Sequence, residues 1–361
     1  VFDANGVCTA CTAHRLKNDA RAGIDWPARR LAFEELVETA RAAKAPFYDV
    51  LVPVSGGKDS LAQVSRLLNR DLRILAVNVD YGMKTEIGKR NLGLVPAMGA
   101  NLVIYRPQEP FQQRLIRLGL EDFGDPDLLS HTLLHAYPLH VAVQFAIPLV
   151  LLGENSAFEY GGAGEAAEAS GMTRDWFERF AANNGQDARF ISKEFSIPMH
   201  ELALYDLPAA IESGQLRTAF MSHYFHWDSE EHLRIAQGYG FESLAAPAEG
   251  TYRNYVGIDE KINRVHHYLK TLKFGYGRAT DHACEDIRNG RIDREAAKEL
   301  VRAHDLEPLS EPLTEEFAAY VGLTPERLVE TLERYRNPEI WKRDSKGRWH
   351  IPGYLEDGER L

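Results

Sequence analysis

Apolar positions in the first half of the chain switch between two periods. Four short runs are almost continuously apolar: Tyr48 to Val54, Leu72 to Val79, Asn101 to Tyr105 and Pro148 to Leu152. That is the pattern of strands buried on both faces. Between them, apolar residues recur at spacings of three and four. Helices are therefore expected over Pro27 to Lys44, with Leu31, Leu36, Val37 and Ala40 on one side, and after Ser60, with Leu61, Val64, Leu67 and Leu68 apolar. Two more are expected over Thr85 to Met98 and over 131–147. Strands alternating with helices predict an α/β fold built on a doubly wound parallel sheet.

After residue 155 the alternation stops and helical patterns dominate: Thr173 to Ala182, Ser229 to Tyr239, Asp259 to Leu272, Ala279 to Ile287, Arg294 to His304 and Pro325 to Arg336. Gly161-Gly162-Ala163-Gly164 opens this part as a flexible stretch. The expected division is a loop-rich head over 1–27, an α/β domain over 28–156 and a helical region over 157–361. The boundary near 156 is soft, because later helices could pack back on the sheet. No internal repeat is present.

Charge and composition narrow the partners. Fifty-three acidic residues against forty-two basic ones give a net charge of −11, which argues against a nucleic-acid partner. The basic stretch Arg264 to Lys270, with Lys273, reads as one face of a helix. No apolar run approaches the ~20 residues of a membrane span. No leader precedes the first helix, so the cytoplasm is the expected compartment. Three cysteines in 361 residues exclude a disulfide scaffold.

The chemistry is expected at the carboxyl ends of the strands, where open parallel sheets bind ligands. The first strand runs into Ser55-Gly56-Gly57-Lys58-Asp59-Ser60 and then a helix. Strand, glycine turn and helix point backbone N–H groups and a positive helix end at one place, which suits a phosphate. The longer G-x-x-x-x-G-K-[ST] spacing is absent, so this is not the usual kinase or GTPase loop. Asp59 is the first candidate for Mg²⁺, or else a first-turn acid complementing the helix dipole. Asp80, past the second strand, is a candidate for nucleotide or metal, or a plain turn residue. Glu154 and Glu159 flank a glycine-rich turn beside the fourth strand, as candidates to ligate Mg²⁺ or orient a nucleophile.

Elsewhere, Cys8 and Cys11 form a C-x-x-C pair, half of a zinc knuckle or two ordinary thiols. A complete zinc site would need ligands from before Val1 or from histidine. His131 and His135 stand at i, i+4 but lack the glutamate of H-E-x-x-H, which argues against a metal there. His223, His226, His266 and His267 lie among aromatic residues and read as core-edge or sugar-pocket groups. Arg278, Arg288 and Arg291 are candidates for a bidentate clamp on phosphate or carboxylate.

Ser55 to Ser60 resembles the PP-loop of ATP pyrophosphatases, an adenine-nucleotide α-hydrolase-like fold. Further stretches resemble the N-acetyl sugar amidotransferases of bacterial surface-glycan synthesis. They are Thr85 to Asn91, Gly153-Glu154-Asn155 with Glu159-Tyr160-Gly161-Gly162, Glu249 to Tyr255, Lys273 to Asp281 and Asp286 to Ile292. The resemblance spans nearly the whole chain. It implies ATP with Mg²⁺, and Zn²⁺ if the cysteine site is complete. It implies that Ser55, Gly56, Gly57, Lys58, Asp59, Ser60 and Asp80 bind the nucleotide, and that Lys58, Asp59, Glu154 and Glu159 serve catalysis. Glu249, Tyr252, Asn254, Arg278, Asp281 and Arg288 are then the expected substrate contacts. The reaction implied is adenylation of the acetamido group of a sugar nucleotide or nonulosonic acid, followed by replacement of its oxygen with ammonia. Two departures stand out: the family's second C-x-x-C is missing, and Ser130 precedes His131 where relatives carry cysteine. None of Cys8, Cys11 and Cys284 sits in the setting of a glutaminase nucleophile. Ammonia is therefore expected from a separate glutaminase, with a channelling subunit resembling the cyclase half of imidazole-glycerol-phosphate synthase. A PP-loop tRNA thiolase and a non-catalytic nucleotide-binding protein are the competing readings.

Overall fold

In the computed structural model, residues 4–18, 23–159, 169–181 and 185–355 are described. They form two compact units. The first comprises Val1–Gly82, Glu86–Arg106 and Leu128–Glu242; the second comprises Met83–Thr85, Pro107–Asp127 and Ser243–Leu361.

A five-stranded parallel sheet organises the first unit: β1 (Val50–Pro53), β2 (Ile74–Val79), β3 (Asn101–Tyr105), β4 (Leu149–Leu152) and β5 (Arg217–Phe220). Their order is β3-β2-β1-β4-β5, so the winding direction reverses between β1 and β4. All six residues of β2 and all four of β4 are buried, as a sheet covered on both faces requires. The side chains of Leu51, Leu75, Val77, Val150 and Leu152 join Leu139 and Ala142 of the helix Leu128–Gln144 in one cluster. Trp176, Phe177 and Phe220 complete that cluster from beyond residue 156. The four strands expected from the sequence are present. The fifth was not expected, since Arg217–Phe220 is short, lies at the sheet edge and buries only its last two residues fully.

The second unit is mainly helical. Its helices include Ile262–Phe274, Arg278–Arg288, Arg294–His304 and Pro325–Glu333. Lys84 and Glu260 bring the short segment Met83–Thr85 into it through a buried ion pair of 3.1 Å. No helix among the described residues is long and apolar enough to cross a membrane.

Candidate active site

The site is built on the turn after β1. Val54 donates its N–H to the Val77 carbonyl at 2.9 Å, and Asn78 of β2 donates its amide to the Val54 carbonyl at 2.7 Å. The chain thus leaves the sheet from a fixed point. The Ser60 hydroxyl accepts the Ser55 N–H at 2.9 Å, and the Ser55 hydroxyl accepts the Gly57 N–H at 3.1 Å, folding the turn on itself. Gly56 has φ +94°, and a Cβ there would stand 2.9 Å from the Gly88 carbonyl oxygen. Only glycine fits both the backbone angle and the close approach of the helix Glu86–Leu92. Gly57 caps the helix Lys58–Ser65 and, having no side chain, makes no side-chain cap hydrogen bond to its first turn.

Two charged residues follow directly. Lys58, buried along its length, places Nζ 2.8 Å from Asp59 Oδ2. Asp59 Oδ1 accepts from His232 Nδ1 at 2.7 Å. Burial would raise the Asp59 carboxyl, but the Lys58 charge and the His232 hydrogen bond outweigh it and hold the group well below the usual carboxylate range. Across the reversal point, Glu154 follows β4. Burial pushes its carboxyl up, and the Asp59 charge adds to that. Two carboxylates that repel across the mouth of a phosphate-type loop form a donor set that suits a hard cation such as Mg²⁺. Asp59 and Glu154 are the residues that would hold it.

The remaining expected residues divide by role. Asn155 is structural: its Oδ1 accepts from Trp176 Nε1 at 3.0 Å and from the Ala157 N–H at 3.1 Å. Asp80 accepts the Gly82 N–H at 2.9 Å and pairs with Arg106, with Nη2 to Oδ2 at 2.5 Å, so it shapes the ends of β2 and β3. Glu159 pairs with Lys17 of the helix Thr9–Asn18. Tyr160, Gly161, Gly162, Ala163 and Gly164 lie outside the described residues. Cys8 accepts the Cys11 N–H on Sγ at 3.3 Å, and neither cysteine is in a disulfide. Among the described residues no group of three His, Cys, Asp or Glu side chains could hold a metal ion. Two thiols alone do not meet zinc's need for four ligands, and no zinc role is assigned. His131 and His135 stack edge to face at 4.6 Å, with His135 Nδ1 on the His131 carbonyl at 2.9 Å.

The six expected substrate contacts all lie in the second unit. The Tyr252 hydroxyl donates to Asp286 Oδ2 at 2.5 Å, and buried Arg253 spans Asp286 and Glu285 at 2.6 and 2.7 Å. Asn254 donates its amide to the Leu244 carbonyl at 2.7 Å, and Glu249 pairs with Arg264 at 3.3 Å. Asp281 accepts from Lys270 and from Arg278, the latter at 3.2 Å. Arg291 pairs with Asp286 at 3.1 Å, whereas Arg288 has no ion pair among the described residues. The stretch Lys273 to Asp281 turns out to be a helix corner. Gly275, at φ +73°, ends one helix, and Gly277 starts the next with its N–H on Asp305 Oδ2 at 2.7 Å.

Sequence reasoning missed His232, Asn78, Arg106 and Lys17. His232 is fully buried on the helix Ser229–Gly238, and 173 positions separate it from Asp59. The only sequence signal was a histidine in the first turn of an expected helix.

The second unit has a recognisable relative. Residues 249–354 match the family model described as "LPS biosynthesis protein WbpG-like, C-terminal domain". Among solved structures, the chain is similar to an NMN synthetase from Francisella tularensis. That likeness is 12% identical over 67% of this chain and 93% of the other, with a TM-score of 0.29, and the fold rests on the strand order instead. No curated protein matches the chain.

Proposed function

We propose that this chain is an ATP-dependent amidotransferase that converts the acetamido group of a sugar into an acetamidino group. The observation that carries the reading is the glycine turn with Lys58, Asp59 and Glu154 at the point where the sheet reverses. The match of residues 249–354 to a WbpG-like domain of LPS biosynthesis supports a surface-glycan sugar as acceptor.

An amide is a poor electrophile, and its oxygen leaves badly. Attack of the amide oxygen on the α-phosphorus of ATP forms an O–P bond and breaks the α–β bridge, releasing pyrophosphate. Ammonia then adds to the imidate carbon, AMP leaves with the oxygen, and a proton is lost. The N–H groups of Gly56 and Gly57 and the hydroxyls of Ser55 and Ser60 would hold the departing pyrophosphate. Lys58, released from Asp59, would offset the charge growing on it. Mg²⁺, when bound, would neutralise phosphate charge. Asp59 and Glu154 would hold it.

Pyrophosphate release assayed with UDP- and CMP-linked N-acetyl sugars and ammonium tests the reading. Release that depends on such a sugar and gives an equal amount of AMP is expected. No sugar-dependent release would sink it, and release that depends on tRNA would favour a thiolase.

A further inference from the structure

His232 lies outside every motif that carries the proposed reaction, yet it reaches the phosphate loop directly. Its ring is fully buried, and Nδ1 lies 2.7 Å from Asp59 Oδ1. Nε2 is buried and has no hydrogen-bond partner among the described residues. The ring therefore makes one polar contact there, and that contact is Asp59. A carboxylate oxygen can only accept, so Nδ1 carries the proton.

The surroundings hold the ring still. Asp228 caps its helix by accepting the N–H groups of Glu230 and Glu231 at 3.1 and 2.8 Å. Trp227 meets the imidazole edge to face at 4.4 Å. Glu231, just before it in sequence, reaches toward Arg66 at the end of the loop helix at 3.7 Å. The other oxygen of Asp59 is held by Lys58, the group that the proposed reaction calls away to the phosphates.

We infer that His232 is a positioning residue that fixes the Asp59 carboxylate through Oδ1, so that Oδ2 stays aimed at the loop mouth when Lys58 turns to the nucleotide. This rests on the nucleotide-and-Mg²⁺ part of the proposed function. His232 would thus join Lys58, Asp59 and Glu154 in the site, contributed by a helix far along the chain. Partners of this kind orient a metal-binding carboxylate without touching the metal.

Binding of ATP to the full chain, without acceptor, measured by calorimetry across a magnesium series, tests this. Three substitutions separate position from packing. In His232→Asn the amide nitrogen falls near the place of Nδ1; in His232→Gln it falls near the place of Nε2; His232→Leu has neither. The Gln and Leu variants should need about ten-fold more magnesium for half-maximal binding, with the Asn variant close to wild type. Equal weakening in all three would mean that the ring serves packing alone and would overturn the inference. So would unchanged magnesium dependence, or ATP binding by the wild type that ignores magnesium. The Asn–Gln comparison stands if the Leu variant fails to fold. Sugar-dependent pyrophosphate release is scored separately. If it is absent while the Asn–Gln split is present, the acceptor reading fails and the role of His232 stands; the reverse result sinks His232 alone.

Discussion

Lys58 and Asp59 are adjacent in sequence and joined at 2.8 Å, so the loop's two charges neutralise each other before any nucleotide arrives. Replacing Lys58 with Met keeps the stem but removes the ammonium. Pyrophosphate release should fall about 10²–10³-fold, the usual cost of losing one charge-stabilising group, in a steady-state assay with the folded state checked by circular dichroism. A fall of less than threefold would remove Lys58 from the chemistry. These two residues were legible because strand, turn and helix are contiguous. His232 was not, because no periodicity links position 232 to position 59. The second unit holds a further titrating residue, Asp127. Burial, with the charges of Asp125 and Asp259, pushes its carboxyl up to about 7 against the pull of His266. A carboxyl raised on folding stabilises below its unfolded value near 4, and that contribution is lost as pH rises through 7. Asp127→Asn should therefore be more stable than wild type at pH 8 by roughly 1–2 kcal/mol, allowing for partial exposure, with the difference gone near pH 4. Urea unfolding at both pH values checks it; a gap that does not change with pH would assign the effect to something else.

Among the elements, the helix Arg278–Arg288 shows what the residues around Gly275 and Gly277 do. Asp305, buried, accepts from the Gly277 N–H at 2.7 Å, the Thr280 N–H at 2.9 Å, the Thr280 hydroxyl at 2.7 Å and the Tyr354 hydroxyl at 2.9 Å. A Cβ on Gly277 would stand 2.7 Å from the Asp305 carbonyl oxygen. This cap is the keystone of the helix start, so Asp305→Ala leaves two N–H groups and two hydroxyls unpaired. The second unit should lose roughly 2–3 kcal/mol, read as an earlier urea transition. An unchanged midpoint would mean that other groups or water replace the carboxylate. This helix was legible in the sequence because apolar residues recur at three and four. The cap was invisible because Asp305 follows the glycine by 28 positions. β5 escaped for a different reason: four residues with one buried end carry too little pattern to separate from a turn.

At the scale of the molecule, the sheet draws on residues well past 156, and Trp176, Phe177 and Phe220 are part of its core. An activated imidate needs neutral ammonia, and most free ammonia is protonated near pH 7. Glutamine hydrolysis within this chain would need a thiolate backed by a histidine. Cys284 is exposed on the helix Arg278–Arg288, and Cys8 and Cys11 are half-buried in a C-x-x-C pair at the start of the helix Thr9–Asn18. We propose, as part of the amidotransferase reading, that the ammonia comes from a separate glutaminase through a channelling subunit. With an acetamido sugar and Mg·ATP, ammonium should support acetamidino product formation by the purified chain, rising with pH as the neutral fraction grows. Glutamine at the same concentration should give less than about a tenth of that rate. Substituting all three cysteines with serine should leave the ammonium-supported rate within a factor of two. Glutamine used as well as ammonium, and lost in the cysteine-free variant, would place the glutaminase in this chain after all.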